Sequence, residues 1–109
     1  MRDGLYKFEI QTPISAANGV VFLQQGKLAG GDNEIYFSGT YAVAGEAFTA
    51  QAISGRHSTS RDAVPPIFGR DKATITLKGT ARGDSAEVIA TAAEVPGVQA
   101  KGKLTRLSD

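Results

Sequence analysis

Apolar and polar residues alternate with a period of two along most of the chain, and helical periodicity is almost absent. In the clearest run, residues 72–82, small and apolar residues occupy one face while Lys, Thr and Arg occupy the other. Such alternation is typical of an antiparallel strand with one buried face. Seven further runs, separated by turn residues, show the same alternation, so the sequence predicts about eight strands in all. The seven runs lie at residues 5–10, 19–25, 27–31, 35–43, 46–54, 85–93 and 98–107.

Three of the predicted strands carry a glycine at mid-strand, in phase with the apolar face: Gly39, Gly79 and Gly102. A strand glycine often marks a bend or a close approach of two backbones, and its repetition suits a sheet that coils and closes. The sequence therefore predicts one all-β domain over residues 1–109, a lipocalin-like, eight-stranded antiparallel meander β-barrel. The alternative is an open sandwich with three independent bulges.

Two connections are longer than hairpin turns. Residues 12–18 have room for one turn of helix. Residues 55–71 form a long loop that carries apolar side chains at Val64, Ile67 and Phe68. Long loops in compact domains are often functional, and we expect residues 64–68 to fold over one barrel mouth as a lid or plug. The alternative is an ordinary loop that buries these side chains for stability.

The side chains predicted to face inward differ in size between the two halves of the chain. Those near the C-terminus are small, and they are Ala73, Ala81, Ala86, Ala90, Ala92 and Ala100. The larger inward candidates define a predicted ligand cavity, and they are Tyr6, Phe8, Phe37, Tyr41, Ile75 and Leu77. Because protein interiors resist voids, the thin half must be filled by the loop residues, occupied by a small apolar ligand, or flattened so that no cavity exists.

Composition and charge exclude several classes of function. The net charge is +1, from 12 basic and 11 acidic residues spread along the chain, so nothing attracts nucleic acid or an anionic membrane. The longest apolar stretch, Val20 to Leu23, is far too short to insert into a membrane. There is no cysteine, and the first residues lack the apolar core of a secretory signal. We therefore expect a cytoplasmic protein.

No pattern of catalytic or metal-ligating residues stands out. The single histidine, His57, adjoins Arg56, but sequence neighbours in a loop are poor grounds for a nucleophilic triad, and no ligand spacing for a metal is present. We expect no enzymatic activity, no cofactor and no metal. The pair Arg56 and His57 is either a functional handle or a loop anchor. Tyr36 and Phe48 are predicted to face outward, where an exposed aromatic patch marks an oligomer interface, and we expect a homodimer.

Several short motifs resemble those of the GrlR-like family of negative regulators of type III secretion. In chain order they include Asp3-Gly4-Leu5-Tyr6, Gly30-Gly31-Asp32, Tyr36-Phe37-Ser38-Gly39-Thr40-Tyr41, Thr74-Ile75-Thr76-Leu77-Lys78-Gly79-Thr80 and Lys103-Leu104-Thr105-Arg106-Leu107. The resemblance spans nearly the whole chain. It implies a lipocalin-like barrel with a plugging loop, a homodimer, and sequestration of a transcriptional activator without enzymatic activity.

Two functions are consistent with the sequence. The first is a non-enzymatic regulatory protein that acts by binding a protein partner, as the resemblance implies. The alternative is a carrier or sensor that holds a small apolar ligand in the barrel interior, beneath the loop at residues 64–68.

Overall fold

The structure is a computed structural model that describes residues 1–59 and 66–109. Eight strands form it, and the described residues contain no helix. The strands are β1 (Gly4–Thr12), β2 (Ser15–Gln24), β3 (Lys27–Gly31), β4 (Ile35–Ala44), β5 (Ala47–Arg56), β6 (Ala73–Arg82), β7 (Ser85–Ala92) and β8 (Gln99–Ser108).

Each strand pairs antiparallel with the next along the chain, and β1 also pairs antiparallel with β8, which closes the barrel. The closing ladder sets Ile10 opposite Gly102 and contains one register shift, between Leu5 and Tyr6. The predicted meander barrel is thus confirmed, and the open sandwich is excluded. One end of the barrel, here called the mouth, carries the turns β1–β2, β3–β4 and β7–β8, the end of β5 and the start of β6. The other end, here called the base, carries the turns β2–β3, β4–β5 and β6–β7.

The helical turn expected at residues 12–18 is wrong. Thr12 pairs directly with Ser15, so only Pro13 and Ile14 form the turn, and β2 continues the ladder from Ser15 onward. The small residues that follow, including Ala16, alternate between the two faces of the barrel wall. Because these residues are small, their side chains show little contrast between a buried and an exposed face, and the sequence did not predict a strand here.

The mid-strand glycines lie where neighbouring backbones come too close for a side chain. A Cβ at Gly39 would lie 1.9 Å from the carbonyl oxygen of Gln51. A Cβ at Gly79 would lie 1.8 Å from the carbonyl oxygen of Glu87. The predicted close approach is therefore present on β4 and β6, where the sheet coils tightly enough to close. Gly102 differs, because its nearest neighbour would be a side-chain atom of Val88 at 3.0 Å.

The interior divides into two clusters of buried side chains. The larger cluster fills the base with bulky residues such as Tyr6, Leu23 and Phe48, each no more than 1% exposed. The smaller one lies nearer the mouth and is built on four of the predicted small residues, all buried, Ala73, Ala90, Ala92 and Ala100. Because these alanines cannot fill the barrel, the mouth half depends on other groups for its packing.

Candidate functional site

A cavity of about 350 Å³ occupies the barrel interior and reaches the mouth. Four of the six residues predicted to form it do line it, namely Phe8, Phe37, Ile75 and Leu77. The rings of Phe8 and Phe37 meet edge to face, with their centroids 4.9 Å apart. The cavity wall is therefore mainly apolar, as expected for a site that takes a small organic molecule.

The other two residues predicted for the cavity, Tyr6 and Tyr41, belong to the base cluster instead. The Tyr6 hydroxyl donates to the backbone oxygen of Arg2 at 2.6 Å, and the Tyr41 hydroxyl donates to Asp3 Oδ1 at 3.2 Å. Burial raises the pKa of both phenols above the usual value. These tyrosines face inward as predicted, but their hydroxyls reach the N-terminal segment across the base, so they close that end of the barrel.

The prediction that Phe48 faces outward is wrong. Phe48 is 1% exposed, lines the deep part of the cavity, and stacks on Tyr41 with ring centroids 6.1 Å apart. Its partner across the β5–β6 ladder is Gly79, which has no side chain, so the ring has room inside the barrel. Tyr36 does face outward, with 47% of its surface exposed.

Residues 66–70 lie over the mouth of the cavity. Ile67 and Phe68 both line it, and Phe68 is 6% exposed because it packs in the cluster of small alanines near the mouth. The loop thus fills part of the thin half of the barrel, which is one of the three solutions that the sequence left open. Val64, the third residue of the predicted plug, lies outside the described residues.

An ion cluster anchors this loop to the barrel rim. Arg56 Nη1 lies 3.3 Å from Glu34 Oε2, and Arg56 Nη2 lies 2.8 Å from Asp71 Oδ1. Hydrogen bonding to Asp71, with a further contribution from Glu34, raises the pKa of Arg56 above its usual value. The cluster joins the start and the end of the β5–β6 connection to the turn between β3 and β4.

His57 is held against the same turn. Its Nε2 lies 3.0 Å from the backbone oxygen of Asp32, and its Nδ1 lies 2.7 Å from Ser58 Oγ. Its backbone N–H donates to the backbone oxygen of Glu34 at 2.8 Å. Of the two interpretations of the Arg56–His57 pair, these contacts support the loop anchor.

Sequence reasoning missed the two buried polar residues among the described residues that line the cavity, Glu34 and Ser54, each 5% exposed. Glu34 lies in a turn, where no alternation indicates burial. Ser54 shares its phase on β5 with Phe48, Ala50 and Ala52, which are also buried. The alternation on β5 defines this phase but does not show which face is buried, and the predicted outward orientation of Phe48 placed it on the outer wall.

The outer wall of β2–β5, in the part nearer the mouth, carries a surface without charged side chains, here called the uncharged outer face. Its exposed apolar residues are Val20, Phe22, Tyr36 and Ile53, which are 44%, 38%, 47% and 63% exposed. In the strand registers they form two adjacent rows, one running from Phe22 to Ile53 and the other from Val20 to Tyr36. The residues between these four side chains are small, so no large polar side chain interrupts the apolar surface on this side of the barrel.

Among residues 1–59 and 66–109, no three His, Cys, Asp or Glu side chains are grouped closely enough to hold a metal ion. No membrane-spanning helix was found in the same part of the chain. In comparisons with known proteins, no family model matches this chain and no curated protein matches it either. The resemblance to GrlR-like regulators therefore stays a prediction, and the clearest indications of function are the cavity and the outer wall.

Proposed function

We propose that this protein is a non-enzymatic binding protein that carries or senses a small apolar molecule inside its barrel. The observation that supports this proposal is the apolar cavity of about 350 Å³ beneath residues 66–70. Natural interiors are close-packed and contain few voids larger than a water molecule. Eight-stranded barrels either fill their interior with side chains or hold one small ligand, and a cavity of this size favours the ligand.

The size of the cavity limits the ligand. Its volume of about 350 Å³ lies at the lower end of the range for small-molecule sites in proteins, about 300–1,000 Å³. A one- or two-ring aromatic compound or a short branched chain suits a site of this size. The edge-to-face pair of Phe8 and Phe37 favours a ligand with a flat apolar surface.

The experiment fills the cavity and measures binding. In Leu77→Trp the indole occupies space that the ligand needs, so binding of 1-methylnaphthalene, followed by amide chemical-shift changes at cavity residues, should weaken at least tenfold. Ile89→Trp is the matched control, since Ile89 lies on the outer wall of β7 and is 39% exposed. Equal binding by both variants, or no binding to the unaltered protein, would contradict the proposal. Native mass spectrometry of freshly purified protein tests for a ligand retained from the cell.

A second candidate is the cytoplasmic regulatory role that the family resemblance implies, in which a homodimer binds a transcriptional activator. The observation that favours it is the uncharged outer face. We assign a second copy of this chain to that face, because two identical surfaces without charges meet with no like-charge repulsion. A two-fold axis would bring the same apolar rows together from both copies.

The oligomeric state tests this second candidate. Light scattering should give twice the chain mass of 11.4 kDa for the unaltered protein. Ile53→Lys places a charge at the most exposed apolar position of the face and should shift the mass toward the monomer. Thr80→Lys adds the same charge on the outer wall of β6 and should leave the dimer intact. A monomer in the unaltered protein would rule out this assignment of the face.

A further inference from the structure

Ser54 places a hydroxyl group in the wall of an otherwise mainly apolar cavity. Its register partners are Phe37 on β4 and Ala73 on β6, and all three residues line the cavity. Glu34 and Ser54 are the two buried polar residues of the described part of the chain. Ser54 therefore presents a polar atom where the neighbouring strands present apolar side chains.

The hydroxyl of Ser54 is poorly satisfied by the protein. Its hydrogen bond runs from Oγ to the backbone oxygen of Ala73 at 3.5 Å. A normal O–H···O bond spans about 2.7–2.8 Å, so this bond is weak. The oxygen can also accept hydrogen bonds through two lone pairs. Burial of a hydroxyl with so weak a hydrogen bond costs free energy. A ligand that forms a hydrogen bond with Oγ would offset this cost.

The polar groups closest to Ser54 at the mouth are already engaged with one another, and the remaining polar residues of the cavity wall, such as Arg70 and Asn33, are exposed. Glu34 is paired with Arg56, and Arg56 also binds Asp71. Asp32 Oδ1 accepts the backbone N–H groups of Glu34 and Ile35 at 2.8 Å each. The Ser54 hydroxyl is thus the buried group best placed to orient a ligand.

We infer that the ligand is an apolar molecule with one uncharged hydroxyl or carbonyl group, and that this group hydrogen-bonds to Ser54 Oγ. The inference rests on the proposed binding function and specifies its ligand. On β5 the inward row runs from Phe48 at the base side through Ala52 to Ser54 at the mouth side. The polar group of the ligand therefore lies near the mouth, and its apolar body extends toward Phe48.

An ionised ligand group is disfavoured at this position. Ser54 is neutral, and its cross-strand neighbours Phe37 and Ala73 carry no charge. Arg56 at the rim already binds two carboxylates, and Arg70, which also lines the cavity, is exposed to solvent. A carboxylate placed beside Ser54 would lose its hydration without gaining a buried counter-ion, which opposes binding.

Three naphthalene probes of similar shape test the inference: 1-naphthol, 1-methylnaphthalene and 1-naphthoic acid. The quantity measured is the ratio of the Kd of 1-methylnaphthalene to the Kd of 1-naphthol, from calorimetric or chemical-shift titrations. In Ser54→Ala this ratio should fall by roughly three- to tenfold, the effect of one lost hydrogen bond. Ser54→Thr keeps a hydroxyl and should keep the ratio. Ser38→Ala removes an exposed hydroxyl from the outer wall of β4 and is the control.

The outcomes separate this inference from the function on which it rests. If both neutral probes bind and Ser54→Ala leaves their ratio unchanged, the role of Ser54 is overturned while the binding function stands. If 1-naphthoic acid binds as tightly as 1-naphthol at pH 7, the restriction to uncharged groups is overturned. If neither neutral probe binds the unaltered protein, the proposed function fails and the inference fails with it.

Discussion

At the scale of single residues, the pair formed by Arg2 and Asp84 fastens the N-terminal segment across the base of the barrel. Arg2 Nη2 lies 2.5 Å from Asp84 Oδ2, and the Arg2 backbone N–H donates to Asp84 Oδ1 at 3.2 Å. Met1, next in the same segment, packs against the base cluster. The pair therefore keeps the segment over the base, on the side away from the candidate ligand site.

This pair predicts a specific dependence of stability on pH. Hydrogen bonds from Arg2 lower the pKa of Asp84 from 3.8 to about 2. Because the folded state holds this proton less tightly than the unfolded state, the stabilisation is complete above about pH 4 and is lost as the pH falls toward 2. Asp84→Asn should be less stable than the unaltered protein at pH 6, and the difference should shrink progressively as the pH falls from 4 to 2.

Urea titrations at a series of pH values measure this difference in unfolding free energy. Glu46→Gln is the control, since its ion pair with Arg82 spans 3.9 Å between mostly exposed side chains. Exposed pairs of this kind contribute little to stability, so the control should stay close to the unaltered protein. A difference for Asp84→Asn that persists unchanged at pH 2 would contradict the assigned role of its charge.

At the scale of the strand, closure of the sheet depends on positions that have no side chain. Gly79 on β6 and Gly102 on β8 both flank Val88 of β7 in register. Their surroundings differ, because a Cβ at Gly79 would meet backbone atoms of β7, whereas a Cβ at Gly102 would first meet a methyl group of Val88. A methyl group can shift by rotation, but a paired backbone cannot move without breaking the ladder.

Alanine substitutions at these two glycines should therefore differ in effect. Gly79→Ala should lower the unfolding free energy by about 3 kcal/mol, the upper range for overpacking, and Gly102→Ala by less than about 1 kcal/mol. Denaturant unfolding monitored by far-ultraviolet circular dichroism measures both values. Equal losses in the two variants would show that backbone approach at Gly79 does not limit the strand packing.

At the scale of the whole molecule, the barrel wall separates two candidate surfaces. The cavity lies inside the wall and the uncharged outer face lies outside it, and alternate residues of the same strands contribute to each. On β4, Phe37 lines the cavity while its neighbour Tyr36 is exposed. On β5, Ser54 lines the cavity while its neighbour Ile53 is exposed.

Because the two surfaces share strands but no side chains, their functions should respond to separate substitutions. Leu77→Trp should weaken probe binding at least tenfold and leave the oligomeric mass unchanged. Ile53→Lys should shift the mass toward the monomer and leave probe binding unchanged. Measuring both properties on both variants distinguishes a ligand-binding protein from a regulator that acts through its outer wall. A loss of both properties in either variant would indicate that the cavity and the outer face are coupled through the wall.

Much of the fold could be predicted from the sequence, because period-two alternation and turn residues are local properties of the chain. The eight strands, their hairpin order and the close approaches at Gly39 and Gly79 all follow from such local signals. The exception among the elements was the turn at Pro13 and Ile14. There the flanking small residues give no contrast between an inner and an outer face.

The candidate site was predicted less completely, since alternation defines two faces of a strand but not which of them is buried. On β5 one phase holds Phe48 and Ser54 and the other holds Ile53, and the local pattern favours neither. The buried face of β5 follows from the pairing of Phe48 with Gly79, because Gly79 leaves space for the ring inside the barrel. The sequence by itself thus determined the strands and their order, because these depend on local periodicity. Only the tertiary structure decided the position of the cavity, the burial of Ser54 and the rim cluster of Arg56, because these depend on which distant strands meet.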